Sequence, residues 1–129
     1  MSIFTGLGGA DTLLGAGGGD RIEAGAGNDS ASAGDSAPFI ADTLWGGGGD
    51  DTLRGGAGAS LVDPTRLFGE AGNDLLLGGP GVEAFFGGVG NDTIQGHEGN
   101  ATIHGSGGGT SVPGSLAIAL SGVDGAVSI

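Results

Sequence analysis

The chain has no cysteine, no lysine and no tyrosine, and its longest apolar run is far too short to span a membrane. Without cysteine it can form neither a disulfide nor a thiolate metal site. Fifteen acidic residues face only three arginines, Arg21, Arg54 and Arg66, for a formal charge of −12. A nucleic-acid-binding surface needs a basic patch, so that class of partner is excluded. The amino terminus has no basic stretch followed by an apolar core, so no Sec-type signal is visible. His97 and His104 are the only histidines. No Ser/His/Asp grouping and no zinc-ligand spacing accompanies them, which argues against an enzyme.

Glycine, by contrast, is abundant, with 34 residues in a chain of 129. Unordered, that content would suggest disorder, but here it has a period. A nine-residue unit recurs from Gly6 to Pro113, and GGVGNDTIQ from Gly87, GEAGNDLLL from Gly69, GGGGDDTLR from Gly46 and GLGGADTLL from Gly6 are its clearest copies. So short a fixed period signals a repeat architecture.

Counted from the first glycine of each unit, the sixth position carries an acid and the eighth an apolar residue. The sixth column reads Asp11, Asp20, Asp29, Asp42, Asp51, a disrupted copy near Ser60, then Asp74, Glu83, Asp92, Ala101 and Thr110. The eighth reads Leu13, Ile22, Ala31, Leu44, Leu53, Leu67, Leu76, Phe85, Ile94, Ile103 and Val112, with Phe4 one step earlier. One apolar residue between two outward positions makes a three-residue strand. The six residues before it turn the chain. Two units make one coil, and coils stack at about 4.8 Å, the strand spacing. The expectation is an all-β parallel roll, a β-solenoid of about five to six coils over residues 1–113, with 114–129 as a separate strand, cap, assembly or secretion segment.

Alternate units fall on opposite turn edges. The odd edge carries Asp11, Asp29, Asp51, Asp74, Asp92 and Thr110, while the even edge carries Asp20, Asp42, the broken copy, Glu83 and Ala101. Both insertions, DSAPFIA at 35–41 and SLVDPTR at 60–66, interrupt even units. One edge is regular and the other is degraded.

The unit resembles the GGxGxDxUx nonapeptide of RTX calcium-binding β-rolls, over about 108 residues. That resemblance implies several Ca2+ ions, each between one copy and the next on the same edge. Calcium takes six to eight oxygens and accepts backbone carbonyls. Carried over, the side-chain ligands are Asp11, Asp29, Asp51, Asp74 and Asp92, with Asp20 and Asp42 able to hold an ion on the even edge. Carbonyl ligands would be Gly6, Gly8, Gly69, Ala71, Gly87 and Val89. Glu83 and Ala101 depart from the pattern and put even-edge sites in doubt. The competing account of these acids is turn capping, and Asn28, Asn73, Asn91 and Asn100 are assigned only that role.

Outward ninth positions on the even face read Thr5, Glu23, Trp45, Phe68, Phe86 and His104. The aromatic stripe Trp45, Phe68, Phe86 is either an interface or is covered by the insertions, through Phe39, Ile40, Leu61 and Val62. The seventh column of the odd face, Thr12, Ser30, Thr52, Leu75, Thr93 and Ser111, is similar to that of ice-binding solenoids, but Leu75 interrupts it. In the tail, Leu116, Ile118 and Leu120 alternate as a longer strand and are interface candidates. The expected function is a secreted, calcium-folded structural protein, with subunits stacking end to end or laterally into filaments or matrix. The alternative is a non-catalytic carboxy-terminal module of a larger protein exported by type I secretion.

Overall fold

The computed structural model describes residues 1–34, 40–56, 64–96, 100–104, 109–111, 117–120 and 127–128. Among them there is no helix, and hence no helix long and apolar enough to cross a membrane. In chain order the strands are β1 (Ile3–Thr5), β2 (Thr12–Leu14), β3 (Arg21–Ala26), β4 (Ser30–Ser32), β5 (Thr43–Gly48), β6 (Thr52–Arg54) and β7 (Thr65–Ala71). There follow β8 (Leu75–Leu77), β9 (Glu83–Val89), β10 (Asn91–Gln95), β11 (Asn100–His104), β12 (Gly109–Ser111), β13 (Ala117–Leu120) and β14 (Val127–Ser128).

Odd-numbered strands form one seven-stranded sheet in the order β1-β3-β5-β7-β9-β11-β13, and even-numbered strands form the other, β2 to β14. Every pairing is parallel. Each strand therefore pairs only with the rungs before and after it, as a β-solenoid requires. The repeat supplies the first six rungs. The seventh comes from the tail, where β13 extends one sheet and β14 the other, with Leu120 in register with Ile103.

The eighth-position column fills the space between the sheets. Ile22, Leu44, Leu67 and Phe85 from one sheet meet Ala31, Leu53, Leu76 and Ile94 from the other, each with at most 2% of its surface exposed. Phe4 and Leu13, on the first rung, pack against this column but are only partly buried. Period-two alternation puts one eighth-position residue per strand inside, with Ala24, Ala33 and Ala84 buried beside that column, so each sheet contributes a single file of larger side chains.

Two features differ from the expectation. Strands β3, β5, β7 and β9 run six or seven residues, because pairing continues round the odd corner through the first three residues of the next unit. There Gly25, Gly47, Glu70 and Gly88 pair in register. Glycine-rich backbone can lie flat enough at this corner to keep its ladder. The sixth position of the disrupted copy is Thr65, not a residue near Ser60: it pairs with Glu83 and is buried. The insertion moves the phase, and Leu67 at the eighth position restores it.

Candidate metal centre

The sixth-position aspartates are buried although ionisable: Asp20, Asp29, Asp42, Asp51, Asp74 and Asp92 are each no more than 3% exposed. Burying a carboxylate is costly unless it is hydrogen-bonded and its charge is offset. Half of that demand is met inside the protein. Oδ1 of each acid accepts the backbone amide of the sixth residue one rung earlier. On the odd edge these are Asp11 to Asp29 (2.8 Å), Asp29 to Asp51 (2.8 Å), Asp51 to Asp74 (2.9 Å) and Asp74 to Asp92 (3.1 Å). The even edge repeats this from Ser2 to Asp20 (2.9 Å) and Asp20 to Asp42 (2.7 Å), then weakens to 3.4 Å from Asp42 to the Thr65 hydroxyl. The step across each bond is 18 residues, except at the two insertions, where it is 22 or 23.

The other half separates the edges. Oδ2 of Asp29, Asp51, Asp74 and Asp92 is buried with no hydrogen-bond partner, and these four are the only such side-chain atoms among the described residues. All four lie on the odd edge. On the even edge Asp20 Oδ2 accepts the Ala16 amide at 2.8 Å, and Glu83 Oε1 accepts the Gly79 amide at 3.2 Å. Asp11, half-buried on the first rung, has Oδ2 bonded by the Leu7 amide at 3.2 Å. A row of buried acceptors that no donor in the protein reaches is where a cation or an ordered water would complete the pairing.

Backbone oxygens converge on the same places. A Cβ added to Gly69 would run into Asp74 Oδ2 and the Gly87 carbonyl, and one added to Gly46 into Asp51 Oδ2 and the Gly69 carbonyl. A Cβ on Gly6 would meet the Ala24 carbonyl and Asp11 Oδ2. At Gly6, Gly46 and Gly69 the first position is thus free of a side chain where a carboxylate and the next rung's carbonyl come close enough to share one ion at bond lengths of about 2.3–2.6 Å, whereas the Asp29 unit opens on Ala24. Among the third-position carbonyls, that of Ala71 already accepts the Gly49 amide and that of Val89 the Gly72 amide, both at 2.9 Å. Each keeps one lone pair. Gly8 forms an isolated parallel bridge with Ala26. Among the described residues no three His, Asp or Glu side chains gather at one point. A site here has to be built from one or two carboxylates plus carbonyls, a hard-oxygen set that suits calcium and not a transition metal.

Electrostatics point the same way. Burial pushes the Asp74 carboxyl up to about 6, opposed by the Asp51 amide bond and reinforced by the charges of Asp92, Asp51 and Asp50. Burial also raises Asp51, with Asp29, Asp50 and Glu70 adding repulsion, and raises Asp92. Glu83 is raised by burial to about 7. A divalent ion beside the odd-edge acids would reverse these shifts.

A second ladder runs beside the first and was not anticipated. Fifth-position side chains bond the fifth-position amide of the next rung: Asn28 accepts from Asp50 (3.0 Å), Asp50 from Asn73 (2.8 Å) and Asn73 from Asn91 (2.9 Å). These residues tie rungs together besides shaping their own turns.

On the outer face, Trp45, Phe68, Phe86 and His104 stack in one column, with ring centroids 5.5, 4.5 and 4.5 Å apart. Arg21 lies 4.3 Å over the Trp45 ring and pairs with Glu23. The rings bury their faces on each other and are half-exposed at their edges. Of the covering residues expected, Ile40 is 41% exposed, while Phe39, Leu61 and Val62 lie outside the described residues, as does Leu116.

Four copies of the RTX calcium-binding nonapeptide repeat match the chain, over residues 3–37, 41–62, 66–82 and 77–110. The protein belongs to the RTX calcium-binding repeat family. No curated protein and no solved structure matches it significantly.

Proposed function

We propose that this protein is a secreted, non-catalytic scaffold that folds when it meets calcium outside the cell. The observation that carries this reading is the line of four orphaned, buried Oδ2 atoms along one edge. Calcium supplies a divalent charge between rungs that would otherwise place carboxylates in a row. Asp29, Asp51, Asp74 and Asp92 would hold it, with first-position carbonyls such as those of Gly69 and Gly87. Where free calcium is scarce, a charge of −12 and a narrow core leave the chain without enough buried surface to fold. Where calcium is millimolar, ion binding and folding are one equilibrium. Circular dichroism with and without chelator tests this. Strand signal that persists in excess chelator at about pH 7.5 removes the reading.

Assembly is the finer part of the proposal. Strands β1 and β2 each pair on one side only, and Ile3, Leu7 and Leu14 around them are 66%, 86% and 67% exposed. A second copy stacked end to end would pair those edges and cover those side chains. Electron microscopy of the calcium-loaded protein distinguishes the outcomes. Filaments one solenoid wide support a structural protein, and dispersed monomers favour a module of a larger exported protein.

A further inference from the structure

The seven acids with complete local geometry divide into two groups, and one backbone feature divides them. In the units of Asp29, Asp51, Asp74 and Asp92 the second residue has positive φ: Gly25 (109°), Gly47 (107°), Glu70 (78°) and Gly88 (100°). In each of these units Oδ2 has no partner. In the units of Asp11, Asp20 and Glu83 the second residue is Leu7, Ala16 or Gly79, and none of them has positive φ. In each of those units the second-position amide donates to the acid. Gly79 shows that residue type alone does not decide; conformation does. Asp42 stands apart, because residues 35–39 separate it from its own second residue, Gly34.

The physical reason lies in the peptide joining positions one and two. In a planar trans peptide N–H and C=O point in opposite directions. One orientation aims the second-position N–H at the carboxylate and satisfies it. The other turns that N–H away and swings the first-position carbonyl round. The carbonyls found against the neighbouring rung's first-position glycine, those of Ala24, Ala33, Gly69 and Gly87, all precede a residue with positive φ. One flip therefore frees a carboxylate oxygen in its own unit and presents a carbonyl to the unit before. Where Gly79 is unflipped, the space that a Cβ on Gly55 would enter is filled by the Glu83 side chain itself. Glu70 adds weight, since it is the one described non-glycine residue with positive φ, a conformation disfavoured by about 1–2 kcal/mol for an L-residue.

We infer that the second-position peptide flip selects which acids bind calcium, so that among these seven acids the ions sit at Asp29, Asp51, Asp74 and Asp92. Asp11, Asp20 and Glu83 hold none. This rests on the calcium reading but goes beyond it, because the nonapeptide pattern alone would also place ions at Asp11 and Asp20.

The test counts Ca2+ bound per folded chain, by isothermal titration and by metal analysis after gel filtration, with the full chain and calcium alone as probe. The wild type binds four. Leu7→Gly permits the flip beside Asp11, where the Ala24 carbonyl is already turned, and raises the count to five. Gly47→Ala lowers it by one or two, because a Cβ there would collide with the Gly25 carbonyl in the flipped form. Glu70→Gly keeps four. A wild-type count of six or more, or a Leu7→Gly count unchanged from the wild type, overturns the inference while leaving calcium binding intact. A wild type that binds no calcium overturns the calcium reading itself. Leu7→Gly lies on an exposed turn, so a folding defect in Gly47→Ala leaves a decisive variant in hand.

Discussion

The backbone amide of Asp51 donates to Oδ1 of Asp74 at 2.9 Å, across 23 residues of chain, while Asp74 Oδ2 faces no donor. One oxygen of this carboxylate thus serves the ladder while the other is left free for a cation, and two substitutions separate the roles. Asp74→Asn keeps the acceptor and removes the charge. In chelator it should be at least as stable as the wild type, and in calcium it should gain less. Asp74→Ala also strands the buried Asp51 amide, a penalty of about 1–3 kcal/mol in either condition. Thermal melts in calcium, and osmolyte refolding midpoints in chelator, compare the two variants with the wild type in both conditions. Equal calcium-induced stabilisation of Asp74→Asn and wild type would show that this oxygen holds no ion.

The raised carboxyls set a pH dependence with a definite sign. Asp74 and Glu83, pushed up to about 6 and 7, bind protons more tightly folded than unfolded. For the calcium-free protein, stability therefore rises as pH falls through 7 and 6 towards the unfolded carboxylate value near 4. Strand signal in chelator should grow between pH 7.5 and 4.5. With calcium bound Asp74 holds no extra proton, so its share of this dependence is lost and only that of Glu83 remains. A calcium-free protein that loses strand on acidification over this range contradicts the assignment.

Asp50 is the one acid in the Asn28–Asp50–Asn73–Asn91 ladder, and its charge helps to raise both Asp51 and Asp74. Asp50→Asn retains the acceptor for the Asn73 amide and removes the repulsion. It should stabilise the calcium-free protein by on the order of 0.5 kcal/mol, the scale of exposed charge interactions. Trimethylamine N-oxide midpoints for refolding in chelator read the effect, and a higher midpoint for the variant would mean that the charge itself supports the ladder.

How much of this was legible in the sequence depends on spacing. The sixth and eighth columns are visible because Asp74 and Asp92, or Leu76 and Ile94, recur at fixed steps, and that was enough to give the roll, its core and its two edges. Thr65 was missed because an insertion breaks the count, although stepping back two places from Leu67 would have found it. The fifth-position ladder was missed because Asn28 and Asn73 are also ordinary turn residues, and composition does not distinguish bonds within a turn from bonds between turns. The second-position flip was hidden because Gly47 and Gly79 are the same residue type in different conformations. Only Glu70, a charged residue in a glycine column, marked the place. The tail strands β13 and β14 lack the nonapeptide, so their place in the sheets comes from pairing and not from the motif.

The aromatic column gives the last prediction. Phe68 stacks between Trp45 and Phe86 at 5.5 and 4.5 Å, close to the 4.7–4.9 Å step between strands, so the rings follow the rungs. Phe68→Ala removes two ring pairs worth about 0.5–1.5 kcal/mol each beyond their burial. It also opens one face of Trp45, the only tryptophan, to water. The melting temperature in calcium should fall and the Trp45 emission should shift to the red. Phe68→Leu, which restores apolar area but no ring, should recover part of the stability. If Phe68→Ala instead leaves the melt unchanged and abolishes self-association in light scattering, the column is a contact surface and its stacking contributes little to the fold.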